Sequence, residues 1–235
     1  MIYQCYYAPE QASRVFPHEP YRGFGLEPVV NPSLVERCPE LASAATRLAL
    51  TEYAALLHVW RHLPFDDDDW VGFTSYRQLD KTDFVFDSKA EVERLLAGFD
   101  FLAWHWWRVG HVRWGELTGA AAQGERSHPL LHRFTLDVLG RFGVTLPEAY
   151  LRAPEAPFAN YWVMGKRRFA AYMEWSWPLV RCALELEHPY KSYARSWNVR
   201  DDKRKAVGYF MERLFVIWTQ REGLRGRRLG TPCEA

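Results

Sequence analysis

The sequence lacks the features that define several large classes of protein. No apolar run approaches the roughly 18 residues that a membrane-spanning helix needs. The chain has 30 Lys and Arg residues and 29 Asp and Glu residues, so its formal net charge is +1, which offers little counterion release on binding a polyanion. The first residues, MIYQCYYAPEQ, show no positive segment followed by an apolar run. We therefore expect no signal peptide, no binding of nucleic acid and a cytoplasmic location.

Motifs of metal sites and of common enzymes are also scarce. The four cysteines Cys5, Cys38, Cys182 and Cys233 are far apart and have no metal-ligand spacing. We expect free thiols, with Cys5 and Cys182 in the core, and no zinc site. The chain has no GxSxG, no GxxxxGK[ST] and no GxGxxG after a strand. Serine hydrolases with a nucleophile elbow, P-loop NTPases and Rossmann dehydrogenases therefore have no support.

The acidic run Asp66–Asp69 invites a different metal hypothesis. Hard divalent cations prefer carboxylate oxygens. The run precedes a predicted strand, however, so it lies at the edge of the sheet opposite to the one where ligands bind. We expect a solvated turn, which is the usual role of a charge run.

Aromatic residues are abundant, with 11 Trp, 12 Tyr and 14 Phe making 16% of the 235 residues. Such a chain has enough apolar surface to fold, and aromatic side chains are common in ligand sites. Hydrophobic periodicity and turn residues predict alternating strands and helices. The predicted strands are 2–7, 70–76, 100–107 and 158–165, and the predicted helices are 39–62, 88–99, 128–143, 166–187 and 207–223. Residues 8–39 are expected to be mostly loop and 109–126 irregular, with a flexible segment at 119–124.

This alternation favours an α/β fold with a mainly parallel central sheet flanked by helices. No internal repeat and no clean linker is visible, which predicts one domain over residues 1–223. The remaining residues, 224–235, include LRGRRLG and are expected to form a basic C-terminal tail. The tail is either solvated, which is the default, or a weak contact to anionic lipid at the inner face of the membrane.

The end of the strand WVGFTSY is the first candidate site. In open α/β sheets, ligands bind beyond the carboxyl ends of the strands. The side chains delivered there are Ser75, Tyr76, Arg77, Gln78, Asp80 and Lys81. A tyrosine can stack on a ring, and an arginine fork pairs with phosphate. The alternative is a structural ion pair of Arg77 with Asp80 or Asp83.

Two further positions carry polar chemistry. Asn160 opens a predicted strand and could bind a ligand hydroxyl or satisfy loop backbone. Glu212 and Arg213 lie inside an otherwise apolar helix, where charges must be paired or used. Glu212 could hold Arg213, Arg200 or Arg204 structurally, or could act as a general base in a cleft. The sequence does not separate these two interpretations.

Four blocks, in order, resemble a bacterial family of glycosyltransferases of capsule and O-antigen biosynthesis, long catalogued as a domain of unknown function. The family pattern is a helix ELT…YWxWKN, a strand ending GLxHYRR, a block NMFIMKxxxFxxYxxWxF and a late helix ERLxxxWL. The corresponding segments here are TEYAALLHVWRH (51–62), VGFTSYRQ (71–78), NYWVMGKRRFAAYMEWSW (160–177) and MERLFVIWTQ (211–220). The chain departs from the pattern at Ser75, which replaces His, at Gln78, which replaces the second Arg, and at His62, which replaces Asn.

The resemblance implies a single GT-A-like (Rossmann-like) domain that moves a sugar from a nucleotide-sugar donor to a hydroxyl of a glycan or lipid-linked acceptor. It implies donor binding by Ser75, Tyr76, Arg77 and Lys81, with the cations neutralising the leaving diphosphate. It implies catalytic roles for Glu212, as the base, and for Arg77. It also implies acceptor binding or positioning by Asn160, Glu52 and Arg213. Glu52 would orient Arg77.

The strand end SYRQ offers no DxD motif to hold a divalent ion, so we expect no resident metal site, while use of Mn or Mg stays open. Two other functions remain as alternatives. One is a catalytically degenerate carbohydrate- or nucleotide-binding module or partner subunit, which the changes at Ser75 and Gln78 favour. The other is a hydrolase, which needs a second carboxylate across the cleft from Glu212. Aromatic stacking on a sugar or base is expected from Tyr76 and from Trp104, Trp106 and Trp107.

Overall fold

The computed structural model describes residues 1–62, 69–194, 206–231 and 233–234. The strands are β1 (Ile2–Tyr6), β2 (Tyr21–Gly25), β3 (Trp70–Ser75), β4 (Phe101–Ala103), β5 (Trp106–Arg108), β6 (Arg113–Trp114), β7 (Leu117–Thr118), β8 (Glu155–Pro157), β9 (Trp162–Gly165), β10 (Gly226–Arg228) and β11 (Cys233–Glu234). The α-helices are α1 (Ser33–Arg37), α2 (Ala44–Leu50), α3 (Tyr53–His62), α4 (Lys89–Leu96), α5 (Gly119–Ser127), α6 (Leu131–Gly140), α7 (Glu148–Arg152), α8 (Lys166–Ala194) and α9 (Ala206–Arg221). The described chain is thus a mixed α/β structure.

A six-stranded sheet in the order β10-β4-β9-β3-β1-β2 forms the centre of the fold. Strands β1, β2, β3, β4 and β10 run in one direction, and β9 is antiparallel to both of its neighbours. The prediction of an α/β fold with a mainly parallel sheet is confirmed. The antiparallel β9 brings its amino end to the edge where the other strands have their carboxyl ends.

Both faces of this sheet are covered by helices, as the apolar strands require. Successive side chains of a strand point to opposite faces. Val71 and Phe73 accordingly join the large core that contains residues of α3, α8 and α9. Trp70 and Val163 join a smaller core with Val92 of α4. The cysteines Cys5, Cys38 and Cys182 are buried free thiols, as expected for the first and last of them.

Several predicted elements differ from the structure. The segment 8–39, expected to be mostly loop, contains β2 of the central sheet and α1. The helix expected over 39–62 is divided into a 3-10 turn, α2 and α3, because Thr51 adopts φ 48° and ψ −132° between the two helices. The strand expected over 100–107 is divided into β4 and β5, which belong to different sheets. The segment 119–124 is part of α5, with Ala120, Ala121 and Ala122 buried.

The segment expected to be a basic tail is a part of the sheet. β10 pairs with β4 in parallel, and Leu229 is 3% exposed. Arg225 donates to the Gly98 carbonyl at 2.8 Å, and Arg228 donates to the Glu155 carboxylate at 2.8 Å. These residues therefore do not form a separate solvated tail, because their backbone completes a sheet edge and these arginines have partners within the protein, while the contact to anionic lipid stays a prediction.

Two other expectations concern residues that lie partly or wholly outside those that the structure describes. Residues 66–68 of the acidic run lie outside the described residues; Asp69 precedes β3 and accepts a hydrogen bond from Lys166 at 2.6 Å. Arg200 and Arg204, the distant partners suggested for Glu212, are also outside them. Within the described part of the chain, no helix has the length and apolar character needed to cross a membrane.

Candidate functional site

A cavity of about 610 Å³ lies at the edge of the sheet where β1, β3 and β4 have their carboxyl ends. The eight residues to which the resemblance assigns binding or catalysis all line it: Glu52, Ser75, Tyr76, Arg77, Lys81, Asn160, Glu212 and Arg213. Four segments that are distant in sequence contribute these side chains. Their convergence on one cavity is a property of the tertiary structure, since no two of the four segments are neighbours along the chain.

Each segment reaches the cavity for a local structural reason. Glu52 stands between Thr51 and the start of α3, and Ser75 is the last residue of β3. Asn160 precedes β9, whose reversed direction places that end at the ligand edge. Glu212 and Arg213 are in the middle of α9, which packs against α8 and α2.

Arg77 forms the structural ion pair and also lines the cavity, so both interpretations that the sequence left open apply to it. Its Nε donates to Asp80 Oδ2 at 3.1 Å, so the structural ion pair exists. Its side chain is nevertheless 51% exposed and lines the cavity. Asp80 also binds Arg14 at 2.5 Å, and these two guanidinium groups hold the pKa of the Asp80 carboxyl below its usual value. The expected partner Glu52 is not the one found, because the ion pair of Arg77 is with Asp80.

A buried hydrogen-bonded chain joins the end of β3 to the segment before β9. The hydroxyl groups of Ser75 and Tyr161 form a short hydrogen bond, and Lys81 Nζ donates to the same tyrosine oxygen at 3.0 Å. Ser75 Oγ also accepts from the backbone N–H of Arg77 at 3.2 Å. Burial, and after it the charge of Glu52, raises the pKa of Tyr161. The neutral phenol therefore fixes Ser75 and Lys81 in place on the cavity wall.

Two carboxylates line the cavity among the described residues, Glu52 and Glu212. Glu52 lies close to Tyr7 and Tyr161, since its charge is the second cause, after burial, that raises the pKa of each phenol. Glu212 acts on Tyr161 as well, and on Arg213 beside it. For the pair of carboxylates that a hydrolase needs, the sequence supplied only Glu212. In the structure Glu52 lines the same cavity. Either group could accept a proton from a bound hydroxyl.

Arg213 is a buried cation with unused hydrogen-bonding capacity. It is 2% exposed, its Nη2 donates to Gln123 Oε1 at 2.6 Å, and its guanidinium carbon lies 3.6 Å from the centre of the Phe158 ring. Its Nε and Nη1 have no hydrogen-bond partner among the described residues. Burial lowers the pKa of Arg213, with Tyr150 and Glu212 acting in the opposite direction. Unpaired buried donors are costly, and at a cavity wall they suit an anionic or hydroxyl-rich ligand.

Asn160 presents the complementary group. It is 4% exposed, and its Oδ1 accepts no hydrogen bond from any described residue. The amide was expected to meet a ligand hydroxyl or to satisfy loop backbone. The unpaired oxygen fits the first interpretation, because a buried carbonyl oxygen without a donor is destabilising.

Backbone strain occurs on both sides of the cavity. Three non-glycine residues have positive φ among those described, Thr51 (48°), Leu130 (70°) and Ala159 (72°). Thr51 and Ala159 line the cavity and immediately precede Glu52 and Asn160. A β-branched residue with positive φ is a genuine outlier, and such strain is concentrated at functional sites.

Of the four aromatic residues expected to stack on a sugar or base, two line the cavity. Trp107 and Tyr76 line the cavity. Trp104 is 1% exposed in the smaller core, and the Trp106 indole donates to the Ala103 carbonyl and stacks on Phe101, so neither of these is a cavity residue. Side chains alternate in direction around the bend between β4 and β5, so Trp107 is the one of these three tryptophans that lines the cavity.

Several cavity residues were not identified from the sequence. Tyr161 is the central one; its only signal was its position beside Asn160. His105 follows β4, and burial, followed by Lys81, lowers the pKa of His105 to about 4. Gln123 lies on α5, in the segment expected to be flexible. These positions depend on the direction of β9 and on the bend after β4, which local sequence patterns do not reveal.

The fold resembles that of a known glycosyltransferase structure. A chain described as the WbbM bifunctional glycosyltransferase in its apo form superposes with a TM-score of 0.65 and 17% sequence identity. The match covers 100% of this chain and 45% of that one, so this chain spans less than half of the other. Comparison with protein-family models and with curated proteins finds no match. The similarity supports a GT-A-like fold.

Proposed function

We propose that this protein is a glycosyltransferase of bacterial polysaccharide biosynthesis that moves a sugar from a nucleotide-sugar donor to a hydroxyl of a glycan or lipid-linked acceptor. The observation that carries the proposal is the convergence of Glu52, Ser75–Arg77, Asn160 and Glu212–Arg213 on one cavity at the ligand edge of the sheet. The similarity in fold to a glycosyltransferase supports the same conclusion.

The donor diphosphate would lie against the cations at the end of β3. Arg77 is half-exposed and its fork suits phosphate oxygens. Lys81 Nζ lies 4.3 Å from the centre of the Tyr161 ring and is held there by its hydrogen bond to the phenol. Tyr76 would pack on the donor. Fixed cations of this kind stabilise the charge that develops on a leaving diphosphate.

The acceptor would lie between Asn160 and α9. Glu212 would take the proton from the acceptor hydroxyl while the acceptor oxygen bonds to the anomeric carbon of the sugar. The bond from that carbon to the diphosphate oxygen breaks, and its electron pair leaves with the nucleoside diphosphate. Oδ1 of Asn160 and the N–H groups of Arg213 that have no partner among the described residues would hold hydroxyls of the sugar or of the acceptor. Glu52 would help to position the same group.

We propose that the cations, rather than a resident divalent metal, serve the diphosphate. Among the residues that the structure describes, the acidic ones that line the cavity are Glu52 and Glu212. The group of three metal-ligating side chains found among the described residues lies elsewhere. Two carboxylates on separate segments do not make a complete ligand set for Mg²⁺ or Mn²⁺, which need about six ligands. Any such ion would have to arrive with the donor phosphates.

The proposal is tested by binding and turnover with a panel of nucleotide sugars. A true donor should raise Tm by preferential binding to the folded state. Arg77→Gln should weaken donor affinity by about 10- to 100-fold, which corresponds to the loss of a charge-assisted hydrogen bond. Glu212→Gln should leave donor affinity intact and lower turnover by about 100-fold or more. Matched controls are Arg94→Gln and Glu222→Gln at exposed positions on α4 and after α9. Unchanged affinity and turnover in both site variants would reject the assignment.

A second candidate, binding without transfer, has one observation in its favour. Gln78 replaces an arginine of the family pattern, and it is buried with its amide donating to the Phe84 carbonyl at 2.9 Å, away from the cavity. The site therefore has one cation fewer than the pattern implies. Donor binding without transfer to any glycan acceptor, and without hydrolysis, would favour this binding module. Hydrolysis without transfer would favour the hydrolase alternative, with Glu52 and Glu212 as its acid pair.

A further inference from the structure

A second cluster of reactive side chains lies apart from the glycosyltransferase cavity, between α1 and α3. Cys38 follows α1 and is fully buried, while His58 and His62 are four residues apart on α3. Positions i and i+4 share one face of a helix. The two imidazoles therefore face the same side, and their ring centres are 4.9 Å apart.

The three ligand atoms are close to metal-binding geometry. Cys38 Sγ lies 3.9 Å from His58 Nδ1 and 3.8 Å from His62 Nε2. Tetrahedral zinc, with Zn–S near 2.3 Å and Zn–N near 2.0–2.1 Å, places sulfur and nitrogen about 3.6 Å apart. The two nitrogens are within 4.8 Å of each other, against about 3.4 Å around the ion. His62 is exposed and can close this gap by side-chain rotation.

Hydrogen bonds in the metal-free protein join Cys38 to the two imidazoles only through long contacts. Cys38 can donate its single proton to His58, and its sulfur can accept from His62, because a thiol is a weak donor and a weak acceptor. His62 Nε2 also contacts the Arg37 carbonyl at 2.9 Å, so in the metal-free protein this nitrogen carries the ring proton. The two sulfur contacts are 3.9 and 3.8 Å long. An ion at the centre would satisfy all three groups at once.

We propose that Cys38, His58 and His62 bind one Zn²⁺ ion through Sγ, Nδ1 and Nε2, with water as the fourth ligand. A cavity of about 420 Å³ that His58 and His62 line has room for that water. On binding, the thiol proton leaves to solvent and the ring proton of His62 moves to Nδ1.

This proposal departs from the expectation of no zinc site, which overlooked the HxxxH spacing of His58 and His62 on one helix. The ion would join the end of α1 to α3 across 20 residues of sequence. Because α3 begins directly after Glu52, the link would also fix the helix that starts at the wall of the glycosyltransferase cavity. His62 stands where the resembling family has Asn, so the site would belong to this chain rather than to that pattern.

The test measures metal binding directly and needs no assay of transfer. Full-length protein is stripped with a chelator and titrated with Zn²⁺ against a chromophoric competitor, and with Co²⁺ followed by absorption. We expect one equivalent of metal and a thiolate-to-cobalt charge-transfer band. His62→Gln, at an exposed position, and Cys38→Ser should each weaken Zn²⁺ binding by more than about 100-fold, because even second-shell losses cost 10- to 100-fold. Cys38→Ser should also abolish the charge-transfer band.

Cys182→Ser and His111→Gln are matched controls, since one removes another buried thiol and the other an exposed imidazole. Both should keep the full stoichiometry and the cobalt band. The proposal is overturned if the folded wild-type protein binds no stoichiometric Zn²⁺, or if His62→Gln binds as tightly as wild type. Circular dichroism of each variant separates loss of ligand from loss of fold. Loss of transferase activity has no bearing on either result.

Discussion

Replacing Thr51 with glycine should stabilise the protein while impairing its site. Thr51 has φ 48° and ψ −132°, a conformation in which a β-branched residue carries strain of about 1–3 kcal/mol. Glycine relieves this strain at a cost of about 0.5–1 kcal/mol in unfolded-chain entropy. The backbone hydrogen bond from Thr51 N–H to the Arg47 carbonyl, 2.9 Å, is kept. The net gain should be about 1 kcal/mol, or roughly 2–4 °C in Tm for a chain of this size.

Thr51→Ala is the matched control, because alanine removes the same hydroxyl and methyl group but keeps the strain. Urea denaturation and calorimetry of the three proteins should rank Thr51→Gly above Thr51→Ala. A glycine variant no more stable than the alanine variant would refute the strain argument. In the transfer assay, Thr51→Gly should lower turnover several-fold, because the strained turn fixes Glu52 at the cavity wall; unchanged turnover would mean that this strain has no part in the site.

Two further predictions concern stability. The pKa of His105 is lowered from 6.5 to about 4 by burial and then by Lys81, so between these pH values the unfolded chain takes up a proton that the folded chain refuses. The contribution of His105 to the free energy of unfolding is therefore fully present above pH 6.5 and is lost as the pH falls towards 4. Between pH 7.5 and 5 this loss should be about 2 kcal/mol. In urea titrations over this pH range His105→Gln should lose that much less stability than the wild type, and an equal pH dependence of the two proteins would contradict the assignment. Gly72→Ala should cost about 1–3 kcal/mol by overpacking, since its Cβ would lie 2.6 Å from Val163 Cγ2. Gly140→Ala, with nothing within 4 Å, should be neutral or slightly stabilising in the same thermal scans, and equal costs for the two would reject the packing argument.

The parts of the fold that could be predicted are those whose signals are local. β1 and β3 are short apolar runs bounded by turn residues, and both form where expected. Ser88 caps α4, accepting from the Glu91 N–H at 3.2 Å, as its spacing predicts. The position of β10 could not be predicted, because a three-residue strand rich in arginine has no pattern of its own. It pairs with β4 only because that edge is open.

The residues of the candidate site also divide into those that could be identified from the sequence and those that only the structure brought to light. The strand-end rule located Tyr76 and Arg77, and the polar residues Asn160 and Glu212 were identified within apolar segments. The resemblance added Glu52 and assigned roles to these residues. Their presence in one cavity agrees with that selection, while their roles remain predictions. Tyr161 was missed because its importance comes from the partners Ser75 and Lys81, which are 86 and 80 residues away. The pair His58 and His62 could have been read from the sequence, whereas Cys38 required the packing of α1 against α3.

The sequence by itself determined the class of the fold, the ends of its most apolar strands and the residue types available for chemistry. These properties depend on burial and on backbone preferences within a few residues. The tertiary structure decided the direction of β9, the partner of Arg77 and the unpaired groups on Arg213 and Asn160. Such features arise from contacts between segments that meet only when the sheet is assembled, so no local pattern in the chain contains them.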